Sequence, residues 1–135
     1  MDPATALADL VADMEHLPDP QERLSALVSW GKAAPDLPDA ECSGSLLVPG
    51  CISRVHLHGH RMDGVMRYRL AADSAMVRGL AGVTVRLADG ATPDAVAACA
   101  FDWPALTRLD RQISPTRLNG LAAIAARIRH LAQSV

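Results

Sequence analysis

A strong turn dipeptide, Asp63-Gly64, separates two stretches in which apolar and polar residues alternate along the chain. The first stretch covers residues 52–58 and the second covers residues 65–70. Such alternation indicates strands with one buried face, and aspartate followed by glycine is typical of the tight turn between antiparallel strands. The sequence therefore predicts a hairpin that forms one small antiparallel sheet within a chain that is otherwise helical.

Helix-start signals precede the helical stretches on both sides of this hairpin. In four of these signals, a residue whose side chain can accept a hydrogen bond from the first turn comes before proline, which needs no donor there. Apolar residues at helical spacing follow the first two signals, so the chain is predicted to open with a helical hairpin. Further helices are expected after the sheet, and the fold class is α+β, with the C-terminal helices packed on the sheet. The predicted helix starts are Asp2-Pro3, Asp19-Pro20, Asp73 or Ser74, Thr92-Pro93, Trp103 (a helix to Leu109) and Ser114-Pro115.

Three glycines lie in or next to the predicted helices. Gly31 stands where the second helix can end in the left-handed conformation that glycine tolerates. Gly79 and Gly82 fall inside a helix, where each glycine costs up to about 1 kcal/mol relative to alanine. We therefore expect a close helix contact that requires them.

Length and composition exclude several classes of protein. The 135 residues fit a single domain spanning residues 1–135. Thirteen basic residues against fifteen acidic ones give a net charge of −2 without a basic stripe, so no nucleic-acid partner is expected. No apolar run approaches the roughly 20 residues that span a bilayer, so no membrane association is expected. The acidic start and the odd number of cysteines, three, predict a cytoplasmic protein with reduced thiols. No nucleotide-binding motif is present in the sequence, and no cofactor is expected.

Cys51 is the residue with the clearest chemical potential. It follows Pro49-Gly50, a turn dipeptide, so it is predicted to lie at the tip of a loop just before a strand. Arg54 is close enough to favour the thiolate, which is the form of cysteine that attacks sulfur or binds metal. The alternative is a small buried side chain. Cys42 is either a resolving thiol or incidental, and Cys99 is expected to be packed.

Three histidines recur at every second position of the first predicted strand. His56, His58 and His60 therefore lie on one face of it, and together with Cys51 they could supply zinc ligands. The alternative is a solvated polar face without metal. If the turn runs from His60 to Gly64, His60 leaves the strand and the third histidine ligand is lost.

Three ordered segments of the chain resemble the SufE-like family of sulfur-acceptor proteins. Residues 48–55, V-P-G-C-I-S-R-V, resemble the family segment V-x-G-C-x-S-x-V. Residues 73–80, D-S-A-M-V-R-G-L, and residues 114–121, S-P-T-R-L-N-G-L, resemble two further family segments in the same order. The resemblance extends from roughly Leu17 to Leu131, which is nearly the whole chain.

The resemblance implies a SufE/IscU-like fold and a sulfur relay for iron–sulfur cluster assembly. A cysteine desulfurase of the SufS or CsdA type would transfer persulfide sulfur to Cys51, for delivery to a scaffold such as SufBCD. The chain would stimulate the desulfurase rather than act as a stand-alone enzyme. Gly50, Ser53, Asp73 and Arg117 match family positions and are expected to shape the site or the partner-binding face. The alternative roles are a helix cap for Asp73 and a first-turn surface residue for Arg117.

The sequence also departs from the family pattern. Ile52 stands where the family commonly has glutamine, and His56 stands where it commonly has tryptophan. Residues 35–41 are acidic where the family is more basic or polar. Two other functions therefore stay open: a metal or iron–sulfur binding module that uses Cys51 with His56 or His58, and a regulator that only docks on a desulfurase.

Overall fold

The computed structural model describes residues 2–50 and 54–134, in which the chain forms six α-helices and one two-stranded antiparallel sheet. Two helices precede the sheet and four follow it, which confirms the predicted α+β class. The first helix packs on the third, fourth and fifth, and the second packs on the third. The third helix thus holds both N-terminal helices. The elements are α1 (Pro3–Met14), α2 (Pro20–Gly31), β1 (Val55–Met62), β2 (Val65–Ala72), α3 (Ala75–Ala88), α4 (Pro93–Ala98), α5 (Trp103–Leu106) and α6 (Pro115–Gln133).

The helix starts follow the predicted signals. At the start of α1, α2, α4 and α6, the side chain before the proline accepts a hydrogen bond from a main-chain N–H of the first turn. At α3 the cap is Ser74, whose Oγ accepts from the N–H of Val77 at 3.2 Å. Asp73 is therefore not the cap, and the alternative role suggested for it by the sequence is wrong.

The hairpin turns at Asp63 and Gly64, whose φ angles of 53° and 82° are the left-handed values that the predicted turn requires. This turn sets the register, in which Met62 pairs with Val65 and Val55 pairs with Ala72. One face of the hairpin is buried, and its largest side chains are at most 1% exposed: Val55, Leu57, Met66, Tyr68 and Leu70. This face packs on α3 and α6.

A segment that we call the strap, residues 35–48, connects the two outer edges of the hairpin. Near its start, Asp36 forms a parallel bridge with Leu70 of β2, and near its end Leu47 forms an antiparallel bridge with His56 of β1. Two short 3₁₀ turns, Asp39–Glu41 and Gly44–Leu46, lie between these bridges. Because the strap leads directly into residues 49–54, its bridges fix where that loop begins.

The close contact predicted from the helical glycines lies between α2 and α3. A Cβ atom at Gly79 would lie 2.8 Å from the carbonyl oxygen of Val28, and a Cβ atom at Gly82 would overlap the carbonyl oxygen of Gly31. Gly31 itself lies inside α2, and a Cβ atom there would overlap the carbonyl oxygen of Gly79. The prediction for Gly79 and Gly82 is confirmed, whereas Gly31 is needed for backbone contact and not for a left-handed helix end.

Two other boundaries differ from the prediction. The fifth helix ends at Leu106 and not at Leu109, and Arg108 just beyond it has a left-handed φ of 60°. Its first residue, Trp103, is fully buried, and its indole N–H donates to Thr84 Oγ1 of α3 at 3.0 Å. The described part of β1 starts at Val55, whereas the predicted strand started at residue 52.

The helix contact generates a stability prediction. We expect Gly82→Ala to lower the free energy of unfolding by about 1–3 kcal/mol, because the new methyl group would push the main chains of α2 and α3 apart. Gly44→Ala is the matched control, since a Cβ atom at Gly44 meets nothing within 4 Å. It should change stability by less than about 0.5 kcal/mol in urea denaturation. Equal effects of the two substitutions would contradict the contact.

Candidate functional site

The segment of residues 49–54, which we call the loop and which carries Cys51, begins and ends at neighbouring points of the fold. The N–H of Val48 donates to the carbonyl oxygen of Val55 at 2.8 Å, next to the bridge between Leu47 and His56. Val48 is 3% exposed and Val55 is fully buried. Both ends of the loop are therefore anchored in the core, while Pro49, Gly50 and Arg54 are exposed.

Gly50 begins the loop in a conformation that favours glycine. Its φ is +86°, in the left-handed region, as expected for the second residue of a Pro-Gly turn. A Cβ atom on Gly50 would lie 3.5 Å from the Cβ of Ala123, so this part of the loop runs against α6. Cys51, Ile52 and Ser53 lie outside the described residues, so the predictions for Cys51 and Ser53 stay predictions.

The end of β2 lies beside the returning side of the loop. The N–H of Asp73 donates to the carbonyl oxygen of Arg54 at 3.2 Å, and both residues are exposed. Within residues 2–50 and 54–134, the carboxylate of Asp73 has no hydrogen-bond or ion-pair partner. The main chain thus brings Asp73 next to the loop, with its charge available to a partner.

Arg117 lies in the first turn of α6 and is exposed. Its N–H donates to the capping Oγ of Ser114 at 3.2 Å, and its guanidinium contacts no acidic group of the described chain. Arg117 precedes Ala123, the contact of Gly50, by six residues, which corresponds to roughly 9 Å along a helix axis. Asp73 therefore lies beside the loop, whereas Arg117 lies further along α6, the helix that contacts Gly50.

Two arginines that the sequence analysis missed hold the strap in place. Arg69 of β2 forms two hydrogen bonds with the Glu41 carboxylate, at 2.9 and 3.0 Å. This contact holds the pKa of Glu41 below its ordinary value. Arg78 of α3 donates to the carboxylate of Asp36 at 3.1 Å and to the carbonyl oxygen of Leu70 at 2.9 Å. In the sequence, the role of Arg78 was indicated by its position beside Gly79 and Gly82, on a helix whose face is largely buried.

The three histidines of β1 lie on the outer face of the hairpin, opposite the buried face. His60 is part of the strand, since the turn is confined to Asp63 and Gly64. The rings of His58 and His60 are 5.2 Å apart between centroids, and the Nδ1 atoms of both are buried without a partner among the described residues. Burial, followed by the neighbouring Arg69 guanidinium, lowers the pKa of His58 below its ordinary value of 6.5.

These histidines do not assemble a metal site with other described residues. Within residues 2–50 and 54–134, no group of three or more His, Cys, Asp or Glu side chains is arranged to hold a metal ion. The charge of Arg69 beside His58 also opposes a bound cation. The arrangement therefore gives the predicted metal-binding alternative no support from the described part of the chain.

The other two cysteines are partly buried. Cys42 in the strap is partly buried, with its Sγ 3.6 Å from the carbonyl oxygen of Pro38. Cys99 follows α4 and is partly buried against the core, which agrees with its expected packing.

Among the helices of the described chain, we find none with the length and apolar character needed to cross a membrane.

Comparison with known families identifies the family to which the chain belongs. The SufE family, described as an Fe-S metabolism associated domain, matches residues 8–132. The chain belongs to the SufE family. Membership assigns it to iron–sulfur metabolism and confirms the resemblance found in the three sequence segments.

Individual relatives agree with this family. An uncharacterised SufE-like protein of Rhizobium etli is 29% identical over 133 residues, which cover 95% of this chain and 90% of that protein. A SufE-like protein of Synechocystis, also uncharacterised, is 27% identical over 114 residues, covering 84% of this chain and 72% of that one. The chloroplastic quinolinate synthase of rice is 34% identical over 96 residues, which are 70% of this chain but 13% of the synthase.

A solved structure shares the fold. The solution structure of a hypothetical protein from Thermus thermophilus superposes with a TM-score of 0.74 at 22% identity, covering 95% of this chain and 93% of that one. In this protein, two of the three SufE-like segments are in direct contact, and the helix that begins in the third lies against the first. Asp73 of the second segment contacts Arg54 of the first, and α6, which begins in the third, lies against Gly50.

The histidine face generates a pH prediction. The folded state disfavours protonated His58, so its contribution to stability is complete above the unfolded pKa of about 6.5 and is lost as pH falls below that value. We expect the free energy of unfolding to decrease between pH 7 and pH 5, and the slope to become smaller in His58→Gln. Urea denaturation at several pH values measures both slopes.

His16→Gln is the control for this prediction, because His16 is exposed after α1 and remote from the hairpin in the chain. It should keep the wild-type slope between pH 7 and pH 5. If His58→Gln also keeps that slope, the buried His58 ring is not the source of the pH dependence.

Proposed function

We propose that this protein accepts persulfide sulfur on Cys51 from a cysteine desulfurase and passes it on for iron–sulfur cluster assembly. The observation that carries the proposal is SufE family membership over residues 8–132, with the segment V-P-G-C-I-S-R-V at residues 48–55. The anchored loop supports it. Buried Val48 and Val55 close the loop with a hydrogen bond, so both ends of the segment that carries Cys51 are held on the sheet.

The proposed step is an exchange at sulfur. The Cys51 thiolate attacks the outer sulfur of the persulfide on the desulfurase, so that an S–S bond forms at Cys51 as the donor S–S bond breaks. The donor cysteine leaves as a thiolate and the proton stays on the transferred sulfur, so the step needs no external oxidant or reductant. Arg54, three residues from Cys51, favours the thiolate. A cysteine desulfurase of this type uses pyridoxal phosphate to form its persulfide, and in the proposed reaction that cofactor stays on the desulfurase.

The proposed partners are a SufS- or CsdA-type desulfurase and a SufBCD-type scaffold. Removal of sulfur regenerates the donor cysteine, which is why the acceptor stimulates the desulfurase. Asp73 and Arg117 are exposed charges without partners among the described residues, and we assign them, with Gly50 and Ser53, to the face that meets the desulfurase. The single domain of residues 1–135 would act in the cytoplasm, where thiols stay reduced.

Sulfur acceptance can be tested by intact-protein mass spectrometry. The protein is incubated with a SufS-type desulfurase and L-cysteine without reductant, and one added sulfur, about 32 Da, is expected on the peptide that contains Cys51. Cys51→Ser should lose this mass completely. Cys42→Ser and Cys99→Ser are matched controls that should keep it. Sulfur that maps to Cys42 or Cys99 while Cys51 stays unmodified would contradict the proposal.

The docking role of the charged residues can be separated from a structural role. Asp73→Ala and Arg117→Ala should each raise the acceptor concentration that gives half-maximal stimulation of the desulfurase, by up to about fivefold for an exposed ion pair. Their stability should change by less than about 0.5 kcal/mol. Ser74→Ala is the control, since loss of this cap should cost about 1 kcal/mol without changing the half-maximal concentration. Unchanged stimulation in both charge variants would contradict the assigned face.

A further inference from the structure

Arg127 connects α6, the last helix, to the end of the strap. Its Nη2 donates to the carbonyl oxygen of Ser45 at 3.1 Å, and the residue is partly buried. Its Nε is buried without a hydrogen-bond partner among the described residues, and no carboxylate of residues 2–50 and 54–134 forms an ion pair with it. Within that part of the chain, the bond to Ser45 is therefore the hydrogen bond that fixes this guanidinium.

Ser45 lies directly before the residues that close the base of the loop. It belongs to the last 3₁₀ turn of the strap, Gly44–Leu46. Leu47 and Val48 follow it and pair with the main chain of β1, and the loop then begins. The position of Ser45 therefore helps to determine where the loop starts.

The same face of α6 also contacts the first part of the loop. Ala123 precedes Arg127 by four residues, about one helical turn, so the two side chains lie on one face of the helix. A Cβ atom on Gly50 would lie 3.5 Å from the Cβ of Ala123. The helix thus contacts the chain on both sides of Val48, through Arg127 at Ser45 and through Ala123 at Gly50.

The other arginines that hold the strap act at a distance from the loop. Arg78 of α3 bonds to Asp36 at the start of the strap, and Arg69 of β2 bonds to Glu41 in its middle. In the described part of the chain, Arg127 is the only side chain of another element that forms a hydrogen bond with the last turn of the strap. This contact is therefore the one that can control the loop without moving the rest of the strap.

We propose that Arg127 is a positioning residue for sulfur acceptance on Cys51. It holds the end of the strap on α6 and so fixes the start of the loop. This role rests on the function proposed above, and in it Arg127 acts through the strap and does not touch the transferred sulfur. Without the contact, the loop would spend less time in the arrangement that reacts, so transfer inside the complex would be slower. Docking of the desulfurase would be unchanged.

The dependence of desulfurase activity on the concentration of this protein separates positioning from docking. Arg127→Ala should lower the maximal stimulated rate about fivefold, as expected for the loss of one hydrogen bond, and leave the half-maximal concentration unchanged. Arg127→Lys should recover most of the lost rate, because a single donor to a carbonyl oxygen does not need the guanidinium fork. An unchanged maximal rate in Arg127→Ala would overturn the proposal, and so would an effect on the half-maximal concentration alone.

Arg129 provides the matched control on the same helix. It also donates to main-chain carbonyl oxygens, those of Cys99 and Ala100 at 3.4 Å, but these lie after α4 and not in the strap. Arg129→Ala should keep the wild-type maximal rate, even where urea denaturation shows that it loses as much stability as Arg127→Ala. Equal losses of maximal rate in the two variants would overturn the proposal, because general destabilisation would then explain both.

Amide hydrogen exchange measures the same contact without a desulfurase. The N–H of Val48 closes the base of the loop, so it should exchange about fivefold faster in Arg127→Ala and at the wild-type rate in Arg129→Ala. Equal exchange of Val48 in both variants would overturn the positioning role. Faster exchange in Arg127→Ala alone, together with a wild type that takes no sulfur on Cys51, would contradict the proposed function but not the contact that holds the loop.

Discussion

The hydroxyl of Tyr68 donates a hydrogen bond of 2.9 Å to the carbonyl oxygen of Ile128, and this contact attaches the hairpin to α6. A two-stranded sheet is marginally stable in water by itself, so its position depends on the helices that cover it. The Tyr68 ring occupies the space beside Gly59, where a Cβ atom would lie 2.7 Å from it. Burial of this phenol raises its pKa above the ordinary value, so it stays a neutral donor. The same helix carries Ala123, which faces Gly50, so α6 contacts both the sheet and the start of the loop.

Local signals were sufficient to predict most elements of the fold. Helix caps and the turn at Asp63-Gly64 act within a few residues, so their pattern can be read along the chain. The errors arose where a distant contact decided the outcome. Gly31 is the last residue of α2, as its local features indicate, but it is required because the backbone of α3 lies against it and not because the helix ends in a left-handed conformation. The path of the strap depends on Arg69 and Arg78, whose partners are far away in sequence.

The candidate site was predictable only in part. The three SufE-like segments pointed to Gly50, Asp73 and Arg117. In the structure, a main-chain contact brings Asp73 to the loop that contains Gly50, and Arg117 lies on α6, which also contacts Gly50. Sequence spacing could not decide between a cap and a free carboxylate for Asp73, because neighbouring Ser74 offers the same capping chemistry.

The central claim is that sulfur passes directly from the desulfurase to Cys51, without release as free sulfide. A single-turnover experiment tests it: a desulfurase is loaded with ³⁵S from labelled L-cysteine, separated from excess substrate and mixed with this protein. The claim predicts that the label leaves the desulfurase and appears on this chain at the same rate, in the peptide that contains Cys51. Label that appears as sulfide in solution before any reaches the chain, or that stays on the desulfurase, would contradict it.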